Sequence, residues 1–406
     1  MYNSIKSIPK WLMISAGVGI LSGLASALFL VNLSWVTSFR EAHRDLFWGL
    51  PLAGIMIGLG YHYYGKEIVK GNNLILEEYE NPQKTIPFKM APMIFLSTLL
   101  THLVGGSAGR EGTAIQLGST LADQFTKFVT LSKHERKILL LLGISAGFAS
   151  VFGTPIAGAL FAIEVLWFSN VSYKSIFLSF TTAFFAYFTV SFMPVVHTHY
   201  AVVPLAHEHI SWLAWALVFG VICGLIALLF SKTVHLFSTQ FTKYIPYPPL
   251  RPVIGGVTLV LFFYLSNEYK YAGLGIPTIV DSFKIPSGFF DCILKLILTC
   301  FTLGCGFKGG EVTPLFFIGA TLGSSVSGFI PMPISLLAAM GFVAVFSGAT
   351  HTPIACTAMG MELFGWENGI YIAIACFFSY LFSGTKGIYR SQQLKGLKSR
   401  FILKYL

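Results

Sequence analysis

The sequence predicts an all-α membrane protein built from two homologous repeats with broken and re-entrant helices. Three observations lead there. Only 11% of the 406 residues are charged and 54% are hydrophobic, with a mean hydropathy of +0.71, whereas soluble domains carry about a quarter charged residues. The apolar residues fall in long runs, not in the alternating ten-residue segments of a barrel. A stretch of the first half also recurs in the second.

Taken in order, the first span is expected at 11–36, flanked by Lys6 and Lys10 as positive-inside anchors. That run exceeds the apolar core of a signal peptide, so a retained span is expected and no cleavable signal. Further runs follow near 47–64, 87–105, 137–168 and 174–194, then 211–237, 252–266, 288–305, 314–330, 335–348, 353–364 and 368–383. Several are shorter than the roughly 20 residues that a crossing needs. Short segments punctuated by Gly and Pro indicate broken helices. Between the halves, 196–210 reads as a connecting loop. Its His197, His199, His207 and His209 fit a surface loop better than a metal site. The six cysteines lie in apolar segments without metal-ligand spacing and are expected to be core thiols.

The net charge of +10 does not point to nucleic acid. Lys386, Arg390, Lys395, Lys398, Arg400 and Lys404 crowd the acid-free tail 386–406. Beside a last span, this fits a cytoplasmic end near anionic lipid, with both termini on that side.

The repeat is explicit. GISAGFASVFGTPIAGALFAIEVL (143–166) aligns without a gap on GFVAVFSGATHTPIACTAMGMELF (341–364), setting Thr154-Pro155 on Thr352-Pro353 and Glu164 on Glu362. Upstream, GREGTAIQLG (109–118) faces GGEVTPLFFIG (309–319), setting Glu111 against Glu311 and Thr113 against Thr313. A looser match sets 69–79 against 272–283. The expected organisation is a first repeat over 1–195, the loop 196–210, a second repeat over 211–385 and the tail. Broken helices at matching positions of two halves point to an ion site at their interface.

Glu111 is the sharpest candidate within it. Gly105, Gly106, Gly109 and Gly112 surround it and an apolar helical run follows. Glycine lets consecutive N–H groups face a ligand, and a helix start turns its positive end toward them. An anion fits there without a cationic side chain. A carboxylate in that place is a tethered anion: ionised, it occupies the ion's position; protonated, it leaves. The segment 306–319 repeats the device with Glu311, Thr313 and Pro314 near a helix start.

These elements together resemble the CLC family of anion channels and proton-coupled antiporters. The resemblance rests on GREGT (109–113), GGEVTP (309–314), the paired TPIA segments and Tyr389 in GTKGIYRS, and covers nearly the whole chain. It implies an inverted pair of repeats in each of two subunits, each subunit with its own pore. It also implies Glu111 as gating and proton-coupling residue. The anion contacts it implies are Asn72, Gly109, Arg110, Gly112, Gly310, Val312, Thr313 and Tyr389. Three departures from the chloride-handling pattern resemble the fluoride-transporting branch: GREGT, GGEVTP, and Asn72 where a serine is usual. That branch also lacks the inner relay glutamate, whose position here is Val165.

Fluoride is small and strongly hydrated, so replacing its water takes short donors. Asn72 offers an amide N–H and Thr313 a hydroxyl; a helix N-cap is the other role for Asn72. Glu311 and Thr313 are candidates for the proton route. Phe316 and Phe317 are expected in packing roles; Lys308 and Arg110 fit either the mouths, where they would concentrate anions, or solvated loops. The expected function is a fluoride/proton antiporter, homodimeric, in the plasma membrane, with no cofactor or metal. The alternatives are a chloride/proton antiporter or passive anion channel of the same family, and, remotely, an intramembrane enzyme. No HExxH supports the last: His134-Glu135 is followed by Ile138, and His207-Glu208 has no second His at that spacing.

Overall fold

The computed structural model describes residues 8–166, 172–203, 210–392 and 398. His207 and His209, and Lys6, Lys395, Arg400 and Lys404, lie outside the described residues. Among the described residues the regular structure is helical. The first half holds α1 (Ile8–Ala42), α2 (Leu50–Tyr63), α3 (Asn72–Glu80), α4 (Met90–Leu103), α5 (Glu111–Asp123), α6 (Lys133–Phe152), α7 (Pro155–Val165) and α8 (Tyr173–Ser191). The second holds α9 (Ile210–Tyr244), α10 (Leu250–Ser266), α11 (Ile276–Asp281), α12 (Asp291–Gly304), α13 (Val312–Ser325), α14 (Ile334–Thr350), α15 (Pro353–Phe364) and α16 (Gly369–Phe382). The two sets correspond one to one, from the 35-residue α1 and α9 onward. The repeat therefore runs through every helix, including short α3 and α11, which carry no apolar run.

Helices α1 and α9 are long and apolar enough to cross a bilayer alone. Most others are shorter. A 14-residue helix such as α4 rises only about 21 Å against a core of about 30 Å. Such pieces must be backed by protein.

The apolar run 137–168 is two helices, not one. Gly153 closes α6 in the left-handed region (φ 73°), and Pro155 opens α7 at a position where its missing N–H costs nothing. The second half breaks in the same place: His351 closes α14 at φ 58° and Pro353 opens α15. A side chain there is strained by about 1 kcal/mol, so the sequence tolerates at His351 what glycine relieves in the first half.

The opened helix starts are capped across the halves. Ile156 and Ala157 N–H donate to the Glu362 carboxylate at 3.0 and 2.8 Å. Ile354 and Ala355 N–H donate to Glu164 at 3.0 and 2.8 Å. Such reciprocity is what a two-fold relation between repeats produces. Each half also packs helices backbone to backbone through glycine, most closely at one matching pair. A Cβ on Gly118 of α5 would lie 2.5 Å from the Gly143 carbonyl on α6, and one on Gly319 of α13 would lie 2.0 Å from that of Gly341 on α14. Small residues let helices approach closely where water offers no driving force.

All six cysteines are buried and free. At one end, Arg136 of α6 joins Asp123 (2.9 and 2.8 Å) and Glu78 (2.8 Å), tying α6 to α5 and α3. Asp123 is fully buried, so Arg136→Ala leaves a charge unpaired and is expected to destabilise the fold by about 3 kcal/mol or more. An unchanged unfolding midpoint in detergent would show that this network adds nothing. The tail differs from expectation at Lys398. Rather than facing lipid, Lys398 is buried, with Nζ 2.9 Å from Ser383 Oγ and 4.5 Å from the Tyr380 ring centre.

Candidate functional site

Three helices begin at one place. Gly71, at φ 56°, turns the chain into α3, whose first residue is Asn72. Arg110 precedes α5, which opens on Glu111. Glu311 precedes α13, which opens on Val312. Asn72 is thus the first helical residue and not the N-cap, and it makes no cap bond.

The starts of α5 and α13 are joined directly. Gly109 N–H donates to the Gly310 carbonyl at 2.6 Å, and Gly310 N–H donates back to Gly109 at 2.8 Å, an isolated antiparallel bridge. Side chains would prevent it: a Cβ on Gly109 would sit 2.9 Å from the Gly310 oxygen, and one on Gly310 would sit 2.8 Å from Gly112 N. This pairing corrects the alignment of the two motifs by one residue. Gly109 matches Gly310, and Glu111 occupies the position of Val312. Glu311 therefore stands opposite Arg110, not opposite Glu111.

Glu111 is fully buried. Its Oε2 accepts from Thr313 N–H and from Arg110 N–H, each at 3.0 Å, and its Oε1 accepts from the Thr313 hydroxyl. The Arg110 Nε is 3.7 Å away. The carboxylate of one half thus fills the N–H cluster at the helix start of the other. Thr313 in turn places both of its donors on Glu111, while Thr113 bonds Thr98 at 2.7 Å.

Around this core lie polar atoms that make no hydrogen bond within the described residues: Asn72 Oδ1, Glu311 Oε2 and Tyr389 Oη. A Cβ on Gly112 would be 3.0 Å from Asn72 Nδ2 and 3.7 Å from Glu311 Oε2, so these two side chains flank Gly112. Asn72 and Tyr389 share a cavity of about 10 Å³ with Ile115, Phe161 and Val165. A second small cavity, also about 10 Å³, continues past Leu76 and Val165 to Glu80, Ser391 and Gln392. Neither holds more than about one water. The other side is open: Arg110 borders a cavity of about 280 Å³ with Ser34, Ser38 and Thr198. Arg40, Arg44 and Lys270 border an adjoining cavity of about 250 Å³.

The sequence candidates therefore converge, with qualifications. Phe316 and Phe317 are buried; Phe316 stacks on Phe342 at 3.9 Å and Phe317 packs against Tyr271 and the Lys295 ammonium. Lys308 lies over the Tyr61 ring at 4.2 Å instead of standing free. His197 packs on Gly153. Sequence reasoning missed His102 and Arg40. The fully buried His102 ring places Nε2 3.3 Å from the Gly109 carbonyl, and Arg40 holds the His102 carbonyl at 3.2 Å. Both support the loop that presents Glu111, but neither belongs to a motif. A His in the apolar run before GGSAGREG was the one available signal.

The model of the voltage gated chloride channel family matches residues 53–384. A protein of Pseudomonas syringae pv. tomato described as a chloride/fluoride channel protein is 46% identical over 394 residues, 95% of this chain and 87% of that one. The solved structure of a CLC-type fluoride/proton antiporter superposes with a TM-score of 0.92 at 35% identity, over 95% of this chain and 98% of that one. A slow cyanobacterial Cl⁻/H⁺ antiporter shares the fold, with a TM-score of 0.81 at 16% identity over 98% and 99% of the two chains.

Proposed function

The chain belongs to the CLC family, that of the voltage gated chloride channels, and from that premise we propose that it exports fluoride in exchange for protons. One observation carries the reading: the Glu111 carboxylate sits on the Thr313 N–H and hydroxyl at the start of α13. An ionisable anion occupies a place built for an anion. Protonation of Glu111 weakens its hold on those donors and frees them for fluoride; return of the carboxylate expels the ion. The proton and the halide thereby compete for one site, which is what exchange requires.

Fluoride is favoured over chloride because the available donors are short and hard. Thr313 supplies N–H and O–H, Gly112 and Val312 stand at helix starts, and Asn72 contributes an amide at the Gly112 backbone. Arg110 faces the wide cavity and concentrates anions there. Tyr389 and Asn72 bound the ion path on the narrow side. Glu311, with an unpartnered oxygen beside Gly112, relays protons between Glu111 and the cytoplasm in place of a carboxylate at Val165. The protein works as a homodimer in the plasma membrane with both termini cytoplasmic, and the exposed Phe177 and Phe188 on α8 and Ile370 and Phe377 on α16 supply apolar surface for a partner or lipid. The likeness to a CLC-type fluoride/proton antiporter supports this reading, and the Pseudomonas relative, described as a chloride/fluoride channel protein, supports fluoride as an ion it handles.

The test is efflux from proteoliposomes loaded with fluoride or chloride and read by ion-selective electrodes. Fluoride is expected to leave readily and to acidify the lumen, with chloride slower by at least about tenfold, a difference of about 1.4 kcal/mol. Equal rates would leave a general anion exchanger, and fluoride flux without proton movement a passive channel.

A further inference from the structure

The segment that carries Tyr389 is a strap, Gly384 to Gln392, laid across the narrow end of the site. It is pinned on one side to α14 and α3. Ile388 N–H donates to the Ala349 carbonyl at 2.9 Å, and the Gln392 amide to the Thr350 carbonyl at 2.9 Å. Ser391 N–H donates to Asn73 Oδ1 at 3.0 Å, and its hydroxyl to Glu77 at 3.1 Å. Asn73 follows Asn72 in α3, so the strap and α3 hold Tyr389 and Asn72 as one unit.

On the other side, beside the apolar contact of Gly384 with Leu228, the polar hold comes from one residue. His235 of α9 has Nε2 3.0 Å from the Gly387 carbonyl and Nδ1 3.1 Å from Arg390 Nε. The Arg390 Nη2 reaches the His235 carbonyl at 3.4 Å. These contacts fix the protonation of the ring. A carbonyl only accepts, so Nε2 carries the hydrogen; a guanidinium N–H only donates, so Nδ1 offers its lone pair. The Arg390 half of the latch exists only with the neutral Nε2–H tautomer; the Gly387 half needs only the Nε2 hydrogen. A second ring proton on Nδ1 would point at the guanidinium N–H and break the contact.

We propose that His235 is the positioning residue of Tyr389, and that its protonation from the cytoplasm releases the strap and opens the inner end of the ion path. The inference rests on reading Tyr389 as a boundary of that path. Charged groups acting on the ring are Arg390 and Lys386, both on the strap. Lys232 lies a turn back on α9. Across Gly387 lies His351 at the end of α14, against Tyr380 of α16. From α12, Cys300 bonds the Phe230 carbonyl of α9. Protonation keeps the Nε2–H bond to Gly387 but turns the Arg390 guanidinium away and adds a positive charge beside Arg390 and Lys386; no carboxylate among the described residues bonds the ring to offset it, so the strap is left on a single bond on this side. The device suits an exporter: hydrogen fluoride that enters as a neutral acid releases its proton and its fluoride inside together, and the proton unlocks the exit.

The test is hydrogen–deuterium exchange of the strap in the full-length protein in nanodiscs. Exchange is read at about pH 7.5 and about pH 4.5, the lower value set well under the usual histidine titration near 6.5 because the cations Arg390 and Lys386 act on the ring, and expressed as protection relative to intrinsic exchange; a wild-type strap equally protected at both values would also overturn the latch. Ile388 and Ser391 of the wild type should lose about tenfold in protection on acidification, the worth of one or two hydrogen bonds. His235→Gln keeps a donor and an acceptor but cannot titrate, so its strap should stay protected at both values; His235→Ala should be unprotected at both. Fluoride efflux should rise on acidification through this range more steeply in the wild type than in His235→Gln. Equal loss of protection in wild type and His235→Gln, or a fully protected His235→Ala, would overturn the latch. Because exchange is read without transport, a responsive strap in a protein that moves no fluoride would remove the transport reading and leave the latch standing.

Discussion

Glu111→Gln is expected to abolish proton-coupled fluoride movement. In the structure the carboxylate takes three donors, two of them backbone N–H groups at helix starts. An amide of the same size keeps one oxygen to accept and presents an NH₂ that must face donors. It cannot titrate, so it carries no proton. Proton transfer by a placed side chain is commonly worth about a hundredfold or more, and uphill fluoride extrusion driven by an imposed proton gradient should fall by at least that factor. The shut state is expected, because the retained bulk still fills the path between Arg110 and Thr313. Glu111→Ala removes the plug as well and should leak fluoride without protons. The pair of variants separates the two roles. Wild-type uphill transport by Glu111→Gln would show that another group couples the proton.

The second large effect concerns folding. Gly319→Ala places a methyl 2.0 Å from the Gly341 carbonyl, and the obstacle is backbone, so no rotamer relieves it. Helices α13 and α14 must separate, and α13 carries Val312 and Thr313 at its start. The expected cost is about 3 kcal/mol or more, at the upper end of overpacking effects. Gly341→Ala meets the Gly319 carbonyl at the same 2.0 Å and should behave alike. Gly328→Ala, with nothing within 4 Å of its Cβ position, is the control and should be neutral. The measurement is the monodisperse fraction and unfolding midpoint in mild detergent. Gly319→Ala as stable as Gly328→Ala would mean that the crossing tolerates more separation than its geometry indicates.

What the sequence disclosed, and what it hid, follows the range of the interactions. Glu111 and Thr313 were legible because a glycine-rich helix start is written in adjacent residues, and its chemistry follows from the local backbone; Asn72 was reached only through the family resemblance. The TPIA breaks were legible as repeats for the same reason, although the run 137–168 concealed one of them: apolar residues on both sides of Gly153 mask a left-handed turn. Partners far apart in the chain were not legible. Nothing near Glu164 says that its carboxylate caps Ile354 and Ala355, and nothing near Arg40 says that its guanidinium holds the His102 carbonyl. The one-residue error between the two motifs has the same origin. Alignment matched the identical glutamates, Glu111 and Glu311, whereas packing matched the glycines that have to touch, Gly109 and Gly310.

The crossed carboxylate caps have a consequence for how the protein is made. Translation delivers α7 long before α15, and the N–H groups of Ile156 and Ala157 are without their Glu362 partner until the last part of the chain has been synthesised. Bare N–H groups are costly in hydrocarbon, so the early half is not a finished unit until the late half supplies that carboxylate. Neither half is a module that evolution could lend elsewhere on its own. The duplicated ancestor must have met a second copy of itself to close the same bonds, and joining the two copies in one polypeptide made that meeting certain.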